Sequence, residues 1–252
     1  MRPLDADHYR HAVLERSDDG VLLVRLHSDG DSLVWGAGPH EELPRLFAEI
    51  GDDPETTAVV LTGTGDDFIG RIEFGDAGRI SPRVYSRLVR EGRRLLASLL
   101  DIDVPMVAAV NGPARHHAEL AVLCDIVLAA EHAVFQDAPH YRRGLVPGDG
   151  VHLVWPLLLG PNRGRYFLLT GQELDAHAAL ALGVVSEVLP AEALLPRALE
   201  LARQIVSQPP RTVRYTRQVL VHGLRRLLAD GLDAGMAFEG LAAFEHWPRD
   251  EA

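Results

Sequence analysis

VAAVNGPARHHAELAVLCDIVLAA, residues 107 to 130, holds a strand, a loop, a short helix and a second strand in one segment. Met106 to Val110 is a compact apolar run that stops at Asn111-Gly112-Pro113, where Gly and Pro end regular structure. Ala118 to Cys124 has the small and aliphatic residues of a short helix, and Asp125 to Ala129 reads as another strand. Two buried-type strands joined through a helix form a parallel unit, so the segment predicts an α/β layer architecture.

The flanks extend that pattern. Upstream, Ala12 to His27 reads as a hairpin around the turn cluster Ser17-Asp18-Asp19-Gly20. His40 to Ile50 has helical spacing, and Ala58 to Thr62 is a β-branched run ending at Gly63. Ser81-Pro82 supplies an N-cap and a proline at the first helical position, opening a helix to about Leu100. Downstream, helices are expected over Ala176 to Leu182, Ala191 to Ser207 and Thr212 to about Gly231, punctuated by Gly183, Pro190 and Pro209-Pro210. No linker or repeat divides the chain. It reads as a single domain over residues 1–252, with a core to about residue 190 and a helical C-terminal region after it.

Composition narrows the partners. The formal charge of -11 argues against a phosphate-backbone grip, because nucleic-acid binders concentrate Lys and Arg on one face. The longest apolar stretch, Val151 to Leu159, is far short of the roughly 20 residues that cross a bilayer. Arg2, Asp5, Asp7, His8 and Arg10 leave no room for a signal peptide's apolar segment, so a cytoplasmic location without nucleic acid or membrane is expected. Cys124 is a lone cysteine in an apolar run and reads as a buried packing thiol.

Taken in order, AAVNGP, AEL and CDIVLAA within residues 107 to 130, then Phe135 to Gly150, LTG at Leu169 to Gly171, and ALGVVSEVL at Ala181 to Leu189 resemble the crotonase, or enoyl-CoA hydratase/isomerase, superfamily. The resemblance covers roughly residues 12 to 245. It implies an α/β crotonase-like spiral of ββα turns with a C-terminal helical trimerisation region, giving a homotrimer or a dimer of trimers. Three departures set the chain apart from the thioester enzymes. Pro113-Ala114-Arg115-His116-His117 puts bulky side chains where those members have glycines, and Asp67-Phe68-Ile69-Gly70-Arg71 replaces their other oxyanion loop. His140 replaces the hydratases' second glutamate, while Glu119 matches a first one.

The pattern FQD, PH, G, VPGDG between Phe135 and Gly150 instead resembles the superfamily's β-diketone hydrolase branch, of which 6-oxocamphor hydrolase is the type. That resemblance implies His140 and Asp149 as a catalytic dyad, His117 and Glu239 as further catalytic groups, and Trp35 and His40 as substrate-binding residues. It implies a small-molecule diketone substrate, no cofactor and no metal. Cleaving a 1,3-diketone with water needs a base, donors for an oxyanion and an acceptor for the expelled enolate, and the second carbonyl is the electron sink. Imidazole suits the base role because its unperturbed pKa of about 6.5 leaves it largely neutral. A carboxylate from Asp149 on its other nitrogen is expected to fix the tautomer, and the rate is expected to fall as pH drops through the imidazole pKa. Trp35 offers an indole N–H to a carbonyl, whereas His116 reads as solvated.

Each residue has a plainer reading. Asp149 between two glycines is by default a turn former, His140 beside a proline a surface residue, and Trp35 a core aromatic. Three other functions compete: an acyl-CoA hydratase or isomerase, a metal hydrolase using His117, His140 and Asp149, and a non-catalytic scaffold.

Overall fold

The computed structural model describes residue 4 and residues 8–73 and 80–246; Arg2, Asp5 and Asp7 lie outside these described residues. β1 (Ala12–Arg16) and β2 (Val21–Leu26) form the expected antiparallel hairpin, with Ala12 opposite Leu26. Gly20 turns the chain at φ 82, and a Cβ there would lie 2.6 Å from Glu55 O, so only glycine fits. β2 continues into a parallel array with β4 (Ala58–Gly63), β6 (Met106–Val110), β7 (Ile126–Ala130) and β10 (Glu187–Leu189), giving the sheet order β1-β2-β4-β6-β7-β10.

Every residue of β4 and β6 is buried, which is why their sequences are continuous apolar runs rather than alternating ones. The two-residue strand period still sorts them between two cores. Val59, Leu61, Met106, Ala108 and Val110 face the main core, while Ala58, Val60, Val107 and Ala109 face α7 (Ala191–Val206) through Leu194, Ala198 and Ala202. Two small sheets complete the strands: β3 (Val34–Trp35) pairs with β5 (Arg71–Ile72), and β8 (Val134–Phe135) with β9 (Leu174–Asp175).

The remaining helices are α1 (Ala37–Asp52), α2 (Pro82–Asp101), α3 (Glu119–Val122), α4 (Val151–Leu159), α5 (Pro161–Thr170), α6 (Ala176–Ala181) and α8 (Pro210–His246). Ser81 caps α2 as expected, its hydroxyl accepting the Val84 N–H at 3.3 Å. No helix among the described residues is long and apolar enough to cross a membrane. Cys124 is buried as expected, and burial pushes its thiol pKa up.

α8 departs from the sequence reading: it continues past Gly231 through Gly235 and Gly240 and spans 37 residues. The glycines mark close approach rather than helix ends. A Cβ on Gly235 would lie 2.5 Å from Gly148 O, and one on Gly231 would lie 2.8 Å from a Leu153 methyl carbon. Packing therefore overrides the roughly 1 kcal/mol that each mid-helix glycine costs. The other end of α8 is tied down by Arg217, 1% exposed, which donates to Asp125 Oδ2 at 2.8 Å and to the Leu100 and Ile102 carbonyls.

Candidate active site

The loop after β6 is stitched to the loop after β4. Asn111 Oδ1 accepts the Gly63 N–H at 3.0 Å, and its Nδ2 donates to Gly65 O and Asp67 O. Arg115 and His116 both donate their N–H groups to Ile69 O, at 3.0 and 3.1 Å. His117 follows at φ 47, in the left-handed region that favours glycine. The glycine-type backbone shape thus persists although the residue is histidine, at a cost of order 1 kcal/mol. His117 Nδ1 lies 2.6 Å from Glu119 Oε1.

Asp149 sits between Gly148 and Gly150 at the N-terminus of α4, where a carboxylate suits the helix dipole. A Cβ on Gly148 would come within 2.8 Å of Glu239 Cβ, so the bare backbone lets α8 bring Glu239 against this loop. His140 opens a 3-10 turn, Tyr141–Arg143, and His40 occupies the first turn of α1. Among the described residues, one cavity is lined by His40, His117, Glu119, His140, Asp149 and Glu239 on its polar side. Its apolar side is Leu88, Val89, Leu95, Leu96, Leu145 and Met236.

The three imidazoles are held alike. Nδ1 of His40 lies 2.9 Å from Glu91 Oε2, Nδ1 of His117 lies beside Glu119, and Nδ1 of His140 is 2.6 Å from Asp137 Oδ1. On His140 this leaves Nε2 facing Asp149 in the cavity. The expectation that Asp149 fixes the His140 tautomer is therefore corrected. Asp149 Oδ2 stands 3.6 Å from His140 Nε2 and 3.9 Å from His117 Nδ1, between the two rings, and Asp137 holds the far nitrogen.

Burial alone would drive His140 down, but Asp149 and Asp137 outweigh it and hold the ring well above its usual pKa. His117 is likewise raised, by Glu119 against burial, while burial lowers His40. Asp149 is raised by burial yet ends below the ordinary carboxylate range, because His140 and His117 face it. Glu239 is pushed up to about 8, mainly by burial. Asp149 Oδ1, Glu119 Oε2 and Glu239 Oε2 are buried without a hydrogen-bond partner.

Two further expectations change. Trp35 is 1% exposed and absent from the cavity wall; its ring packs on His117 at 3.8 Å between centroids and edge-on to His40 at 5.9 Å, so it supports two rings from behind. His116 is buried rather than solvated, and burial lowers its pKa to about 3. Sequence reasoning missed Asp137 and Glu91. Asp137 stands three residues before His140 in the quoted FQD, a visible spacing, whereas Glu91 lies 51 positions from His40 and carries no local signal. His117, Glu119 and Asp149, and also His140, Asp149 and Glu239, have ligand atoms within 4.8 Å of one another and could hold a metal ion.

Fold and sequence together define the class: the enoyl-CoA hydratase/isomerase family pattern matches residues 18–241, and the chain belongs to that family, the crotonase superfamily. Its relatives divide by name. It is 30% identical over 208 residues to a carnitinyl-CoA dehydratase of Citrobacter koseri, covering 82% of this chain and 78% of the relative. A short-chain-enoyl-CoA hydratase of Clostridium acetobutylicum is 29% identical over 234 residues, covering 92% and 87%. Among solved structures, a β-diketone hydrolase from the cyanobacterium Anabaena, bound to (S)-3-oxocyclohexyl acetic acid, superposes with TM-score 0.92 at 45% identity, covering 94% of this chain and 95% of that one. An enoyl-CoA hydratase/isomerase from Mycobacterium paratuberculosis gives TM-score 0.86 at 30% identity, over 94% and 95%.

Proposed function

We propose that this protein is a cofactor-independent hydrolase that cleaves a carbon-carbon bond of a cyclic or bicyclic β-diketone to a keto acid, as an enzyme of the 6-oxocamphor hydrolase type. The observation that carries this reading is the convergence of three Nδ1-held imidazoles with the unpartnered oxygens of Asp149 and Glu239 in an apolar-walled cavity. Buried polar atoms without partners await a polar guest, here water and the substrate carbonyls. The 45% identity to the cyanobacterial β-diketone hydrolase supports the same reaction class.

Asp149, whose Oδ1 is buried without a partner while its Oδ2 lies between His117 and His140, is the group placed to accept a proton from an attacking water. In the step we infer, a water oxygen bonds to one carbonyl carbon and its proton passes to the Asp149 carboxylate. The new oxyanion is stabilised by N–H donors from His140 and His117. Collapse re-forms the C=O, breaks the bond to the central carbon, and sends that electron pair into an enolate on the second carbonyl. The proton held by Asp149 then returns to the enolate carbon, so diketone and water become one keto acid. Glu239, protonated below about pH 8, donates a hydrogen bond to the water or the second carbonyl. With Asp149 as the acceptor and held below the ordinary carboxylate range by His140 and His117, the acid limb should fall below that range, whereas a His140 base would put it at the imidazole pKa.

The exposed apolar side chains Leu157, Tyr166, Leu169, Val219, Leu220 and Leu241 support self-association through α4, α5 and α8, as a homotrimer or dimer of trimers. The decisive assay incubates metal-free protein with a bicyclic 1,3-diketone in ¹⁸O-water and follows the keto acid by mass. Label in the carboxylate, lost in His140→Ala, supports the proposal. Turnover of enoyl-CoA esters with no cleavage across a diketone panel would return the chain to the thioester chemistry of its hydratase relatives.

A further inference from the structure

We propose that Asp137 is a positioning residue for the reaction: it holds His140 by Nδ1 so that Nε2 faces Asp149 and the cavity, and Asp149 is thereby left free to meet water. This rests on the reading of the site as a diketone hydrolase, and it assigns the ring-holding task to a buried residue outside the cavity lining.

The geometry is built for that task. The Asp137 and His140 side chains are 3% and 5% exposed, and their 2.6 Å contact is short for a charge-assisted hydrogen bond. The main chain around Asp137 cannot wander: Gln136 N donates to Ala114 O at 3.1 Å and Ala138 N to Arg115 O at 3.0 Å. Both acceptors lie in the loop that leads to His117, so the two cavity histidines share one scaffold. On the other side, Arg143 N and Leu145 N donate to His140 O, at 2.8 and 3.2 Å. The His140 ring has only two nitrogens; with Nδ1 committed to Asp137, Nε2 is the one directed at Asp149, 3.6 Å away. Asp149 has the position of a reactant, since its Oδ1 is unpartnered while its Oδ2 lies between two imidazoles. The Nδ1–carboxylate hold on His40 by Glu91 and on His117 by Glu119 repeats the device.

Asp137→Asn tests this with three readouts. The charged groups facing His140 are Asp137, Asp149 and Glu239, with His117 and His116 from the neighbouring loop, so the variant removes one negative neighbour and leaves the others. We expect kcat for a bicyclic diketone to fall by roughly tenfold or more, the change a lost charged hydrogen bond makes, with KM nearly constant. The His140 ¹⁵N resonances should titrate at lower pH or report the other tautomer. A thermal melt identifies a variant that merely fails to fold, and Asp137→Glu, which keeps the charge, should then recover the ¹⁵N signature. Lost rate with unchanged His140 resonances would overturn the proposal, as would a wild-type rate. The ¹⁵N measurement needs no substrate, so it tests the hold on His140 even if no diketone is turned over and the functional reading fails.

Discussion

Replacing Gly235 by alanine should separate activity from stability. Gly235 lies on α8 one turn before Glu239, and a Cβ there would come within 2.5 Å of Gly148 O, the residue next to Asp149, and within 2.7 Å of His152 Nε2. Ordinary contact begins near 3.4 Å, so helix and loop must part by about 1 Å. The stability ledger nearly balances: overpacking costs roughly 1–3 kcal/mol, and removing a mid-helix glycine returns roughly 1 kcal/mol. Chemistry has no such compensation, because Glu239 and Asp149 ride on the two surfaces that separate, and a misplacement of about 1 Å costs on the order of 100-fold in rate. The measurement is kcat/KM for a bicyclic diketone beside a thermal melt. A variant within about threefold of wild type would refute the claim that this glycine contact sets the distance between the two carboxylates.

Other outcomes follow from the same geometry. The rate should be flat through neutrality and fall as pH rises past about 8, where Glu239 ionises, and Glu239→Gln should remove that limb; a limb that persists would reassign it. Folding should show the same group with the opposite variant behaviour. A carboxyl whose pKa is raised on folding binds more protons folded than unfolded, so wild-type stability declines from the ordinary carboxylate range up to about pH 8, and the Tm of Glu239→Gln should decline less. Arg217→Ala leaves Asp125, among the described residues, with only the Met106 N–H and removes the donor to the Leu100 and Ile102 carbonyls, and should cost roughly 2–4 kcal/mol in urea unfolding, with the active site untouched in the folded fraction. A chelator should leave diketone cleavage intact, and loss of activity restored by a divalent ion would move the His140, Asp149 and Glu239 cluster into metal chemistry.

The sheet was legible because β4 and β6 are buried on both sides, which writes an uninterrupted apolar run into the sequence. The hairpin and the α2 cap were legible through Gly20 and Ser81-Pro82, whose local chemistry admits few conformations. α8 was cut short because glycine reads as a helix end by propensity, and only the neighbours of Gly231 and Gly235 explain why it is not one. In the site, the family resemblance, rather than residue type or spacing, pointed to His140, Asp149, His117, His40 and Glu239, which line one cavity, and to Trp35, which does not. Which carboxylate meets which nitrogen was not legible. That depends on a 3-10 turn folding His140 back onto Asp137 and on α2 bringing Glu91 to His40, and neither orientation is encoded in spacing alone.

The left-handed backbone at His117 has a consequence for how this loop can change. Glycine would occupy that conformation without strain, so His117→Gly should relax the main chain while deleting an imidazole and its tie to Glu119. The residue that equips the cavity thus strains its own backbone while neutralising the buried Glu119 and filling the space against Trp35. Stranding that carboxylate costs more than the roughly 1 kcal/mol of strain relieved, so selection for heat resistance and selection for turnover should both hold histidine in place.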